Sequence, residues 1–148
     1  MCGFAGLISH CGNTSDLELL VSRMADEIEH RGPDDTGAWV DADSGLAIGF
    51  RRLAIVDLSP SGHQPMISSS GRFIIAMNGE IYNHLDLRSR LTASGASPDW
   101  RGHSDTETLL ACIEHWGLVR TLSETVGMFA IALWDTRERT LQLVRDRF

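Results

Sequence analysis

Strand-like and helix-like patterns follow one another along this chain as strand, helix, strands, helices, strands. That order fits a doubly wound sheet poorly, since there each parallel connection crosses over through a helix and the two patterns alternate. It predicts a mixed α+β layered fold, with turn-joined strands covered by helices. Residues 1–148 suffice for one domain with a sizeable core, since a chain of that length buries ~70% of its unfolded surface.

Residues 2–8 are short, apolar and rich in glycine, and read as a buried strand at the very start of the chain. Ser15-Asp16-Leu17-Glu18 fits a capping box. Leu17, Leu20, Val21, Met24 and Ile28 then share one helical face, and Gly32-Pro33 should end that helix near His30. Residues 37–40 and 46–51 read as a strand pair, and residues 60–70 as a loop rich in Ser, Gly and Pro. Residues 73–77 are an apolar strand running into Asn78-Gly79, a turn signal. Residues 81–94 turn helical towards Gly95. Ser104-Asp105-Thr106-Glu107 is a second capping box, opening a helix that Gly117 stops. Residues 128–135 and 140–144 make a final hairpin. The chain halts at the exit of that strand, which reads as the N-terminal domain of a longer protein.

Charge and composition narrow the function classes. The net charge is −7, from 20 acidic and 13 basic residues without a Lys/Arg run, which argues against a nucleic-acid partner. No apolar stretch approaches the ~20 residues that span a bilayer, so no membrane is expected. Asp16 and Glu18 stand where a signal peptide would stay apolar, which leaves the cytoplasm as the default. Cys2, Cys11 and Cys112 show neither a disulfide framework nor zinc spacing, and the six histidines form no pair at helical spacing, so no metal is expected.

Candidate chemistry begins at Cys2. Removal of Met1 would place a thiol and a free α-amine on one residue. With a pKa of ~7.7–8.0, that amine is partly an unprotonated base near neutrality and can take the thiol proton. The competing reading, a structural cysteine in a first strand, outweighs this one when the residue is taken alone. Asn78 and Gly79 could donate their side-chain amide and backbone N–H to a developing oxyanion, or form an ordinary hairpin turn. Arg52, between two apolar runs, must find an anion: a ligand carboxylate, which its planar fork matches, or an internal partner such as Asp57. Asp105 and Glu80 are either acids favoured by local helix and turn chemistry or partners for a ligand ammonium. The charges of residues 30–35 could brace a pocket.

Together these segments resemble the glutaminase domain of glutamine-hydrolysing asparagine synthetases, a class II glutamine amidotransferase and N-terminal-nucleophile hydrolase. The resemblance rests on Cys2-Gly3-Phe4-Ala5-Gly6, Arg31-Gly32-Pro33-Asp34-Asp35-Thr36-Gly37, Arg52-Leu53-Ala54-Ile55-Val56-Asp57, Gln64-Pro65, Asn78-Gly79-Glu80-Ile81-Tyr82-Asn83, Ser104-Asp105-Thr106-Glu107 and Gly127-Met128-Phe129-Ala130, in the family's order. It implies a four-layer αββα sandwich. It makes Cys2 the nucleophile, Asn78 and Gly79 the oxyanion hole, Arg52 the holder of the α-carboxylate of L-glutamine, and Asp105 with Glu80 the holders of its α-ammonium. The backbone of residues 53–56, with Leu53, Ile55 and Val56, would line the pocket.

It also implies a C-terminal synthetase domain that receives the ammonia and uses ATP and magnesium, while this domain needs no cofactor. A homodimer is compatible with the resemblance. Phe50-Arg51 stands where typical members carry His-Glu, and Ala54 where Ser is common; neither change removes a catalytic group. Branches that feed glucosamine phosphate or phosphoribosylamine synthesis carry a Thr-Arg-Trp-Ala type motif at this Arg, which this chain lacks. Relatives such as β-lactam-forming synthetases keep the fold and lose the glutaminase; Cys after Met1 separates this chain from them.

Overall fold

The computed structural model describes residues 2–9 and 13–147. Cys11 and His10, considered above for metal and disulfide chemistry, lie outside them, as does Met1. The first sheet comprises β1 (Gly3–Ile8), β2 (Asp35–Asp41) and β3 (Leu46–Arg52) in the order β1-β3-β2. The second comprises β4 (Met66–Ile67), β5 (Phe73–Ile81), β6 (Gly127–Asp135) and β7 (Thr140–Arg145) in chain order. All pairings within the sheets are antiparallel. The α-helices are α1 (Thr14–Asp26), α2 (His84–Ala93), α3 (Asp105–Trp116) and α4 (Leu118–Glu124). The fold is therefore mixed α+β with two antiparallel sheets, as the element order predicts.

The central strands β3, β5 and β6 are largely buried on both faces, and their side chains divide by parity. On β3, Leu46, Ile48 and Phe50 pack with Ile74, Ala76, Ala132 and Trp134 of the second sheet, while Ala47 joins Leu17 and Val21 of α1. On β5 and β6 the other parity, Ile75, Met77, Ile131 and Leu133, packs with Leu87 and Leu91 of α2 and Leu109, Leu110 and Ile113 of α3. Two buried faces are the reason these strands read as unbroken apolar runs rather than as alternating ones. Each fully buried Leu, Ile or Phe here contributes about 1.5–3 kcal/mol relative to exposure.

Several local readings need correction. Helix α1 is capped by Asn13, whose Oδ1 accepts the Asp16 N–H at 2.9 Å, so Ser15 lies inside the first turn rather than at the cap. Its buried face is Leu17, Val21 and Ala25; Leu20 is half exposed, and Ile28 falls beyond the helix end at Asp26. Asn78-Gly79 makes no turn. β5 runs through it to Ile81 because its partner is β6, with Gly79 opposite Phe129, rather than the residues that follow. The next helix starts only at His84.

Ser104 does cap α3, accepting the Thr106 N–H at 3.1 Å, but Glu107 reaches back past the cap to the N–H groups of Arg101 and Gly102. Gly117 ends α3 with φ +79° and opens α4, a helix with no sequence signal recognised above. No helix among the described residues is long and apolar enough to cross a membrane.

Candidate active site

Cys2 sits just before β1, and its surroundings come from three chain segments. Its Sγ lies 3.3 Å from the Leu53 N–H nitrogen and 3.5 Å from the Leu53 carbonyl oxygen. Its own carbonyl accepts the Arg31 Nε–H at 3.1 Å. The segment after Arg31 braces the same corner: Asp34 accepts the Ala54 N–H at 2.8 Å, and Asp35 pairs with His63 Nδ1 at 2.8 Å. These charges do brace a pocket wall. Cys112, on α3, is a different kind of thiol: burial pushes it up to about 12, so it stays protonated and inert near neutral pH.

The outer edge of β5 explains Gly79. Even-numbered residues point their amides towards β6, as the Tyr82 N–H to the Val126 carbonyl at 2.8 Å shows at the strand's end. Odd-numbered residues turn outwards. The Met77 N–H goes to Gln64 Oε1 at 2.7 Å and the Ile81 N–H to Asp105 Oδ2 at 2.9 Å. Gly79 lies between them with the same parity. Opposite it, Phe129 spends its N–H and carbonyl on Asp146, away from β5, at 2.7 and 2.9 Å. The Gly79 N–H is thus directed out of the ladder towards the cleft. A Cβ at Gly79 would lie 2.2 Å from the Met128 carbonyl oxygen, which is why the position needs glycine. Asn78 Oδ1 is buried with no hydrogen-bond partner among the described residues, so the protein does not lock this amide against a ligand.

Arg52, at the end of β3, is only 7% exposed, so its charge requires compensation. Its guanidinium donates to the carbonyl oxygens of Ser59, at 2.9 Å, and of Asp57. It meets the Asp57 main chain rather than the Asp57 carboxylate, so among the described residues its positive charge has no direct carboxylate partner. Space for the fork comes from Gly62, where a Cβ would lie 2.0 Å from Nη2. The Asp57 carboxylate accepts the N–H groups of Ser59 and His103, each at 2.8 Å. Burial alone would raise its pKa, but hydrogen bonds from Ser59 and His103 and the nearby Arg52 charge outweigh that and hold it at about 2.

Asp105 opens α3 and is also buried; it accepts the N–H groups of Ile81 and Thr106 at 2.9 Å each. Glu80 is half-buried and has no protein partner among the described residues.

These groups meet in one solvent-open cleft of about 120 Å³, lined by Cys2, Arg52, Leu53, Ile55, Val56, Asn78, Gly79, Glu80 and Asp105 together. That is small against the ~300–1,000 Å³ of drug-sized sites and suits a ligand the size of an amino acid. Every side chain given a catalytic or ligand-binding role in the sequence analysis lies there, while Ala54 and the charges of residues 30–35 do not line it. The same wall contains Asp57, Gly62, Gln64 and Thr106, to which no site role was given. The signal for Gln64 was present in Gln64-Pro65 but carried no chemistry until its side chain was seen pairing with the Met77 backbone. No cluster of three or more metal-ligating side chains occurs among the described residues.

A cleft with a thiol at the chain start, a buried guanidinium and facing carboxylates suits an amino-acid amide. A family model described as a glutamine amidotransferase domain matches residues 1–148. The chain belongs to that family. It is 39% identical to asparagine synthetase (glutamine-hydrolyzing) 1 of Bacillus subtilis, over 100% of this chain and 23% of that protein. It is 37% identical to asparagine synthetase (glutamine-hydrolyzing) 2 of the same organism, over 100% and 19%. It is also 34% identical to amidase chry2 of Gibberella zeae, over 100% and 23%. The chain thus spans about a fifth to a quarter of the length of these relatives.

Proposed function

We propose that this glutamine amidotransferase domain hydrolyses the side-chain amide of L-glutamine to glutamate and ammonia, with Cys2 as nucleophile. The observation that carries the reading is the convergence of the Cys2 thiol, the outward Gly79 N–H, the buried Arg52 guanidinium and the Asp105 and Glu80 carboxylates on one small cleft. Glutamine is a zwitterion with its amide at the far end, so a selective site needs a cation and an anion set back from the nucleophile. Arg52 takes the α-carboxylate, and Glu80, the carboxylate free of protein donors, takes the α-ammonium together with Asp105.

With Met1 removed, the Cys2 α-amine accepts the thiol proton as Sγ attacks the amide carbon. The Gly79 N–H and the Asn78 side-chain amide hold the developing oxyanion. Collapse of that intermediate transfers the proton to the leaving nitrogen, releases ammonia and leaves a thioester. Water, deprotonated by the same amine, then cleaves the thioester to glutamate. Water is the only co-reactant these two acyl transfers need, so no cofactor is assigned to this domain.

The four-layer αββα arrangement of N-terminal-nucleophile hydrolases belongs to the same proposal. It is supported by α1 packing against β3 and by α2 and α3 packing against β5 and β6. In a longer cytoplasmic protein the ammonia would pass to a C-terminal synthetase domain using ATP and magnesium, with aspartate as acceptor. A second reading has the same glutaminase feed an acceptor other than aspartate, the choice lying with a C-terminal domain outside these residues. The test is glutamate release from L-glutamine by chain beginning at Cys2, with Cys2→Ala as blank. Release that vanishes in the variant is expected; equal release from both would overturn the assignment.

A further inference from the structure

We infer that Asp57 is a positioning residue that ties the carboxylate-binding end of the cleft to its ammonium-binding end, an inference that rests on the glutamine reading above. Its two oxygens serve different segments. Oδ1 accepts the Ser59 N–H and folds the turn whose carbonyl groups, from Asp57 and Ser59, hold the Arg52 guanidinium. Oδ2 accepts the His103 N–H, two residues before Asp105. A Cβ on Gly102 would lie 2.4 Å from that same Oδ2, so the approach of the two segments requires glycine there.

A second tie crosses the same seam, where Ser61 Oγ donates to the Arg101 carbonyl at 3.0 Å. Arg52 comes from β3 and Asp105 from α3, and no hydrogen bond joins them. The carboxylate and ammonium of an α-amino acid sit on one carbon, so the groups that bind them must keep one spacing. Asp57 is the side chain whose two oxygens bond one support each, Ser59 on the Arg52 side and His103 on the Asp105 side, and Ser61 adds a weaker tie beside it. Its carboxylate, already engaged at both oxygens, acts through its neighbours rather than on substrate.

The test uses chain beginning at Cys2, as wild type, Asp57→Asn, Gly102→Ala and the double variant. Asp57→Asn puts an amide donor or a weakened acceptor against the His103 N–H, while Gly102→Ala disturbs the same contact with the charge retained. Each single variant is expected to raise KM for L-glutamine about tenfold, the effect of losing one charge-assisted hydrogen bond, with kcat within about threefold. Preference for L-glutamine over its α-methyl ester should fall in parallel. Alkylation of Cys2 by iodoacetamide, followed on the Cys2 peptide by mass spectrometry, should keep its wild-type rate. The double variant should be no worse than the worse single, because both cut one link.

Unchanged KM in Asp57→Asn, additive effects, or a loss of kcat and alkylation rate matching the loss in KM would each overturn the inference. If Asp57→Asn does not fold, Gly102→Ala alone decides by the same readouts. A wild-type chain that fails to hydrolyse glutamine would instead defeat the reading on which the inference rests.

Discussion

Replacing Gly79 by alanine separates the backbone role of this residue from its chemistry. The added Cβ would lie 2.2 Å from the Met128 carbonyl oxygen and 2.6 Å from Phe129 Cα. Both are backbone atoms of β6, so no side chain can swing away. Ordinary contacts begin at 3.4 Å, so the strands must part by more than an ångström or the Gly79 peptide must rotate. Overpacking of this kind costs about 1–3 kcal/mol. Either response also moves the N–H that faces the cleft, and loss of one oxyanion donor costs about 10²–10³ in rate.

Gly127→Ala is the matched control. Its Cβ would lie 2.2 Å from the Glu80 carbonyl oxygen, on the same ladder, but its own N–H has no part in the reaction. Urea denaturation should show a comparable loss of stability in both variants. Steady-state glutaminase assays should show a kcat drop of about 10²–10³ in Gly79→Ala and little change in KM. A kcat for Gly79→Ala within about tenfold of that for Gly127→Ala would refute the oxyanion assignment, since the strain alone would then account for the loss.

Further outcomes follow from other parts of the structure. Chain that retains Met1 has its Cys2 amine in a peptide bond and should release no glutamate; intact mass measured beside the glutaminase assay checks this. The Asp57 carboxylate, held at about 2 against an ordinary 3.8, contributes stability that is present above pH 3.8 and lost as pH falls through about 2. The stability gap between wild type and Asp57→Asn, about 2.4 kcal/mol at most from this cause, should therefore close over that window in urea titrations. Asp135→Ala should cost about 2–4 kcal/mol without changing KM, because the buried carboxylate accepts both Arg72 and the hairpin N–H groups of Arg137 and Glu138 far from the cleft.

What the sequence made legible was chemistry more than geometry. Cys2, Arg52, Asn78 and Asp105 announce themselves by residue type and neighbours, and all four reach the same cleft. The Ser104 cap and the stop at Gly117 were readable because caps are local. The cap of α1 was misplaced by two residues because Asn13 and Ser15 are both good caps, and only the Ala25–Val21–Leu17 packing against the first sheet chooses between them. Helix α4 escaped notice because its seven residues carry no cap or charge signal.

The early strand end read at Met77, with Asn78-Gly79 left open between a turn and an oxyanion hole, has a different origin and bears on function. A turn signal is a local preference, whereas β5 is held straight by a partner strand some fifty residues away in sequence. Long-range pairing wins because it satisfies the whole ladder, and glycine then serves close approach rather than reversal. The consequence reaches the cleft. Had the chain turned there, the parity that directs Met77, Gly79 and Ile81 outwards would have ended at Asn78. With the strand continued, Gln64 and Asp105 occupy the outward amides on either side, and the Gly79 amide between them opens on the cleft that Cys2 also lines.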